Sequence, residues 1–235
     1  MTRKKFAVIG LGRFGIKLVE ELSRMQREVI AIDSDSSAIE KVKDTASESL
    51  ILDAVSKEAL EKSGVKDVDC VIVAIGQNME ANILVTTLLK EIGVKEIISR
   101  AESSLHAKIL REVGADRIVF PEEDIAVRLA HAIHFPGVQE YVDIKGPWDL
   151  AEFKVSDGSR LIGKKIASIR SELTRGINVL MIEREKGEGL KHGVGQKREE
   201  RENIFPKNEY AVRKDDILIL FGRPEHLEKF IEKTS

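Results

Sequence analysis

Gly10-Leu11-Gly12-Arg13-Phe14-Gly15 is a G-x-G-x-x-G turn, and it constrains this chain more than any other segment. The apolar run Phe6–Ile9 enters it and a helical pattern leaves it. Glycines at this spacing let a strand turn sharply into a helix and let backbone approach backbone. The result is a cluster of main-chain N–H groups at a helix N-terminus, where the phosphates of a nucleotide bind. Arg13 adds a fixed positive charge inside the loop. The motif alone is common, so its neighbourhood has to confirm it.

The first half alternates between apolar runs and helical patterns. The runs Phe6–Ile9, Glu28–Ile32, Ser49–Leu52, Val68–Ile75, Glu96–Ser99 and Arg117–Phe120 read as buried parallel strands. Between them, Phe14–Met25, Ser36–Lys43, Lys57–Lys62, Glu80–Ile92 and Leu105–Val113 read as helices. Gly64, Gly93 and Gly114 each follow a helical segment as C-terminal caps do, and Ser56 precedes one as an N-cap. This is an α/β pattern, a doubly wound Rossmann-like parallel sheet with its crevice at the carboxyl ends of the strands. Pro121 and the acidic run Glu122–Asp124 suit the start of a further helix through Ile125–Ile133, which ends before Phe135-Pro136-Gly137. We place the domain boundary there, giving 1–137 and 138–235. The second, smaller domain reads as α+β. Its strands are Val138–Ile144, Ala151–Val155, Val179–Ile182 and Ile217–Phe221, and its helices Lys164–Leu173 and Glu225–Glu232. Gly187–Arg201, rich in Gly and charge, reads as a surface loop.

Charge argues about partners. Lys plus Arg number 38 and Asp plus Glu number 40, for a net of -2 with both signs interspersed, so bulk charge does not mark a nucleic-acid binder. No apolar run reaches the ~18 residues of a membrane span, and the N-terminus has no signal-peptide core. The single cysteine, Cys70, sits in an apolar strand and reads as a packing residue in a reducing cytoplasm.

The strand ends supply the rest of a nucleotide site. Asp33 closes the second strand, 18 residues after Gly15, where a carboxylate accepts ribose hydroxyls. Ser34, Asp35 and Ser36 follow it instead of an arginine, which favours an unphosphorylated ribose. Asp53-Ala54 after the third strand is placed to flank the base. Ala74-Ile75-Gly76-Gln77-Asn78 after the fourth is small enough for close backbone approach. Catalytic groups are harder to find. Tyr141–Lys145 and Tyr210–Lys214 match Tyr-x-x-x-Lys, but that pair works on a helix and neither segment reads as one. His106, His131 and His134 read as packing or surface residues. There is no G-K-[ST] phosphate loop.

The glycine loop, Asp33, Val73-Ala74-Ile75-Gly76 and Gly114-Ala115-Asp116-Arg117-Ile118-Val119-Phe120-Pro121-Glu122 together resemble the RCK (KTN) domains. Those domains are the cytosolic gating subunits of Trk/Ktr potassium uptake systems. Gly158–Lys164 and Arg213–Leu218 are similar to the RCK C-terminal lobe. The resemblance covers nearly the whole chain, and Gly187–Arg201 is its main departure. It implies a regulatory subunit, not an enzyme, that binds ATP or ADP, or in some members NAD or NADH; the alternative reading is an NAD-dependent oxidoreductase or redox sensor. It implies dimers through the helix at about Ile125–Ile133, four of which close an octameric ring beneath a membrane potassium channel subunit. The protein is then cytoplasmic, peripheral at the inner face of the membrane, and membrane-associated through that partner. Arg13 takes the role of reading the γ-phosphate of the neighbouring subunit's nucleotide. Glu122 takes that of holding a divalent or monovalent cation at the dimer interface, against a plain role in the first turn of its helix. Arg100, ending the fifth strand, helps hold phosphate. Some relatives bind cyclic di-AMP in the C-terminal lobe, and no residue here assigns that site.

Overall fold

The computed structural model describes residues 4–144, 146–172, 176–185 and 201–234. Two compact units divide the chain, Met1–Glu122 and Glu123–Ser235. This division falls at the head of the helix that follows the sixth strand, whereas the sequence boundary was set at that helix's end.

The first unit is a doubly wound sheet of six parallel strands. They are β1 (Lys5–Ile9), β2 (Glu28–Asp33), β3 (Glu48–Ile51), β4 (Cys70–Val73), β5 (Ile97–Arg100) and β6 (Arg117–Val119), in the spatial order β3-β2-β1-β4-β5-β6. The crossovers carry α1 (Arg13–Arg24), α2 (Ser36–Glu40), α3 (Lys57–Lys62), α4 (Met79–Ile92) and α5 (Ser104–Glu112). Apolar clusters form on both faces of the sheet. One holds Ile9, Ile32, Val73, Leu89 and Ile97, the other Val8, Val19, Ala31 and Ile72. Each fully buried Leu, Ile or Val contributes about 1.5–3 kcal/mol to the fold, which is why continuous apolar runs became the central strands.

The ends of the elements follow their chemistry. Ser56 caps α3, its Oγ accepting the Ala59 N–H at 3.4 Å. Gly93 ends α4 in the left-handed conformation, its N–H returning to Leu89. In the first unit, α2 and β4 are much shorter than the sequence implied. α2 stops at Glu40, and the turns that follow carry Val42 into the core. β4 keeps only Cys70–Val73: a 3₁₀ turn over Val65–Asp67 precedes it, and beyond it Ala74 N–H still bonds the Ile9 carbonyl at 2.7 Å while Ile75 packs against Gly10. Cys70 is buried, and desolvation pushes its thiol up to about 12, so it is a packing residue.

The second unit begins with α6 (Pro121–His134 with Pro121 and Glu122 counted in the first unit), which starts four residues before its apolar stripe. A five-stranded antiparallel sheet follows: β7 (Val138–Asp143), β8 (Asp149–Lys154), β9 (Ile177–Glu185), β10 (Arg201–Ile204) and β11 (Ile217–Gly222), in the order β10-β9-β11-β8-β7. α7 (Ile166–Glu172) and α8 (Pro224–Thr234) complete it. Its core gathers Phe153, Leu161, Ile182, Leu218 and Ile231. Asp216, fully buried, is met by Arg184, by the Tyr210 hydroxyl and by the Arg213 N–H, so its charge is paired on every side. β10 was not foreseen. The expected loop Gly187–Arg201 lies outside the described residues except for Arg201, which opens that strand.

Candidate functional site

Parallel registry brings the candidate residues to one end of the first sheet. Ile9 lies level with Ile32 on one side and Val73 on the other, Val73 with Ser99, and Asp33 with Ile51. The residues that follow these positions therefore emerge together: the glycine loop from β1, Asp33 at the tip of β2, Ala74–Asn78 after β4, and Arg100 at the tip of β5.

The three glycines of the loop have three different reasons. Gly10 has φ +93°, and its N–H is held by the Ile32 carbonyl at 2.9 Å. Gly15 sits where a Cβ would stand 2.0 Å from the Gly10 carbonyl oxygen, so α1 packs on the loop only without one. Ala74 lies 3.5 Å from that same point, and its small side chain admits the turn. Gly12 is different. Its φ of −68° suits any residue, and a Cβ there would meet nothing within 4 Å. Nothing inside the chain requires a glycine at position 12, whereas an occupant approaching the N-terminus of α1 would. That terminus carries no side-chain cap and no acidic residue in its first turn, leaving its N–H groups and dipole to an anion. Phe14 turns its ring into the apolar cluster against β1, so its backbone is what it offers the site. Arg13 is exposed and enters no ion pair among the described residues.

Asp33 ties the loop to β2. Its Oδ2 accepts the Leu11 N–H at 2.6 Å and its Oδ1 accepts the Asp35 N–H at 2.8 Å. A carboxylate has about four acceptor positions, so these two bonds orient it and leave capacity for hydroxyls. It does not cap α2. Asp35 does, accepting the Ser37 N–H at 2.8 Å. Ser34 is exposed beside it. Asp53 folds back on itself, Oδ1 accepting the Val55 N–H at 3.1 Å, while Ala54 is buried. Asn78 caps α4 by accepting the Ala81 N–H at 2.9 Å, so its acceptor oxygen is engaged. Ile75 supports Gly10, and Gly76 lies beneath the Arg100 guanidinium.

Arg100 and Glu122 meet. Arg100 Nη2 donates to Glu122 Oε1 at 2.6 Å, and Arg100 Nε is buried without a partner among the described residues. Glu122 is thus already paired, and among the described residues no group of three or more His, Cys, Asp or Glu is placed to hold a metal ion. A cation at Glu122 would find fewer than three such side chains among the described residues, so further donors would have to come from a ligand or a second copy.

Sequence reasoning missed the support beneath these residues. Asn82 is fully buried, and its Nδ2 donates to the Ile75 carbonyl at 2.7 Å and the Arg100 carbonyl at 2.9 Å. Thr86, also buried, bonds both Asn82 Oδ1 and Ser99 Oγ. This ladder locks the ends of β4 and β5 together. Its signal was present as two polar residues four apart on the otherwise apolar face of α4. The tyrosines of the two Tyr-x-x-x-Lys matches belong to the second unit. Tyr141 is on β7 and donates to Asp149 at 2.5 Å, and Lys145 lies outside the described residues. Tyr210 is held by Asp216, with burial raising its hydroxyl to about 12, and Lys214 pairs with Asp157.

Residues 6–121 match the TrkA-N domain family. The chain is 35% identical to Ktr system potassium uptake protein C of Bacillus subtilis (strain 168), over 99% of its own length and 98% of the relative's. It is 31% identical to Ktr system potassium uptake protein A of the same organism, over 98% and 96%. The GsuK RCK domain superposes with a TM-score of 0.63 at 16% identity, covering 100% of this chain and 49% of that one. The GsuK channel bound to NAD gives 0.62 at 16% identity, covering 98% and 39%. At these identities the structural likeness speaks for the fold.

Proposed function

The chain belongs to the family of the Ktr system potassium uptake proteins A and C, and from that premise we propose that it is a nucleotide-binding regulatory subunit of a potassium uptake system. The observation that carries the site is Gly12, a glycine that the chain's own packing does not need, facing an uncapped helix N-terminus. Phosphates fit there, held by main-chain N–H groups of the first turn of α1. Asp33, fixed by its two backbone bonds, accepts the ribose hydroxyls, and Gly76 leaves space for the Arg100 guanidinium to lie against the turn after β4. Arg100, whose Nε is buried without a partner among the described residues, stands at the tip of β5 as a further cation for phosphate.

ATP and ADP are the proposed ligands. Asp33 with no arginine following fits NAD and NADH as well, and the GsuK channel has been seen with NAD bound. Arg13 projects from the loop as a charge that an added γ-phosphate would meet, in this chain's site or in a neighbour's. A shape change in the assembly needs a ligand that binds its two states unequally, and one extra phosphate beside Arg13 supplies that inequality.

Assembly rests on α6. None of its side chains is buried, and Ile125, Leu129 and Ile133, spaced by four, are 63%, 57% and 74% exposed. An apolar stripe left this open calls for a partner, here a second copy, with four dimers closing a ring. No helix among the described residues is long and apolar enough to cross a membrane, and the proposed location is the cytoplasmic face, reached through the channel subunit. A cation at Glu122 would bridge the nucleotide or a second copy. The test is potassium flux through the cognate membrane subunit reconstituted in vesicles with this chain. ATP and ADP should set different rates, and equal rates would remove the regulatory role.

A further inference from the structure

Arg100 and Glu122 form an ion pair whose partners are held very unequally. The Arg100 side chain is 17% exposed and Glu122 is 67% exposed. The guanidinium lies directly over Gly76, where a Cβ would stand 2.4–2.7 Å from Nη1, Cζ and Nη2. The Arg100 carbonyl is clamped by Asn82 Nδ2 at 2.9 Å, and the same amide holds the Ile75 carbonyl at 2.7 Å. Arg100 is therefore fixed against the turn that lines the crevice. Glu122 reaches it from the first turn of α6 and makes no other ion pair among the described residues. The guanidinium has five N–H donors, and its Nε is buried without an acceptor among the described residues. It is a fixed cation with donors to spare, held by one exposed carboxylate oxygen.

We propose that this pair is an exchange latch, in which the distal phosphate of a nucleoside diphosphate or triphosphate takes Arg100 from Glu122 and frees the carboxylate at the head of α6. The proposal rests on the nucleotide-site reading above. A phosphate presents several oxygens to the planar fork of a guanidinium and binds it more strongly than one exposed carboxylate oxygen does. Releasing Glu122 is cheap, because the carboxylate stays at the N-terminus of α6, where the helix dipole favours it. Without ligand, Glu122 acts as a built-in competing anion. It lowers the affinity of the site and fixes the first turn of α6 to the tip of β5. With ligand, that tie is broken. The charge of Glu122 thereby becomes a link between occupancy of the crevice and the start of the helix that carries the exposed apolar stripe.

A double-mutant cycle tests the exchange. ADP is titrated calorimetrically, in EDTA so that no divalent cation engages Glu122, into the parent protein, Glu122→Gln, Arg100→Gln and the double variant. Glu122→Gln should tighten ADP by about threefold to tenfold. Arg100→Gln should weaken it by about tenfold. In the Arg100→Gln background, Glu122→Gln should have no effect. Equal tightening in both backgrounds would mean that Glu122 merely repels phosphate, and the exchange would be overturned. No tightening in the parent background would overturn it as well. Amide exchange at residues 119–126 gives a second reading. ADP should speed it in the parent and leave it unchanged in Arg100→Gln, and a parent that shows no change refutes the release of Glu122. A parent that binds no ADP would sink the nucleotide site itself, whereas binding without coupling sinks the latch alone.

Discussion

Two glycines of one motif should separate folding from function. At Gly15, a Cβ would lie 2.0 Å from the Gly10 carbonyl oxygen. The obstacle is backbone and cannot swing aside, so Gly15→Ala has to push α1 away from the loop. Overpacking of this kind costs up to about 3 kcal/mol, which lowers Tm by roughly 6–12 °C in a chain of this length. At Gly12, a Cβ meets nothing within 4 Å and the backbone is in an ordinary conformation. Two small terms then compete. Alanine is a poorer N-cap than glycine, but it lowers the entropy of the unfolded chain, and each effect is at most about 1 kcal/mol. Gly12→Ala should keep Tm within about 4 °C of the parent. Its methyl nevertheless stands where phosphate oxygens approach the N–H groups of α1, so ADP affinity should fall at least about tenfold, or about 1.4 kcal/mol. Differential scanning calorimetry reads the first quantity and isothermal titration the second. Gly12→Ala binding ADP as the parent does, with an intact fold, would refute the assignment of the loop as the phosphate site. Gly15→Ala with unchanged stability would refute the packing argument.

The other predictions concern single side chains. Arg13 makes no ion pair among the described residues, so Arg13→Ala should leave Tm and ADP affinity nearly unchanged and abolish the difference between ATP and ADP in a thermal-shift assay. Identical ATP and ADP shifts in the parent would remove that role from Arg13. Leu129→Lys with Ile133→Lys should turn a dimer into a folded monomer by light scattering, since these side chains bury nothing within the chain; a monomeric parent would contradict the α6 interface. His106 is fully buried, its Nδ1 accepts the Glu102 N–H at 3.4 Å and its Nε2 has no partner among the described residues, so desolvation holds its pKa below the usual value. The unfolded chain takes up a proton near pH 6.5 that the folded chain resists. The stabilisation is complete above about pH 6.5 and is lost as pH falls through that value toward the lower folded one. Tm should therefore drop from about pH 7.5 to about pH 5.5, and His106→Leu should flatten part of the drop; equal slopes would exonerate His106.

The sheet of the first unit was legible because parallel strands buried on both faces appear as continuous apolar runs, and because Gly10, Gly15 and Asp33 stand at a spacing that few other structures require. Asn82, Thr86 and Ser99 were not legible as a unit, since a buried hydrogen-bonded polar residue looks like a surface residue until its partners are known. Arg100 and Glu122 were each singled out, yet their pairing was hidden. They are 22 positions apart, and they meet only because β6 runs parallel to β5 and delivers the head of α6 beside the tip of β5. In the second unit, β10 escaped notice because Arg201-Glu202-Asn203-Ile204 has a single apolar residue, as an edge strand can afford. Asp35 caps α2, yet it stands in a run of small polar residues after Asp33 where nothing in the sequence alone singles it out.

Every role proposed for the first unit requires an adenine nucleotide in the crevice above the glycine loop. Equilibrium titration of the chain with ATP, ADP, NAD and NADH under one set of conditions tests it most directly. ATP and ADP should bind saturably at one site per chain, with affinity that falls at least about tenfold in Gly12→Ala and is weakened in Asp33→Ala. Absence of binding by all four nucleotides, or binding that survives both substitutions unchanged, would contradict it.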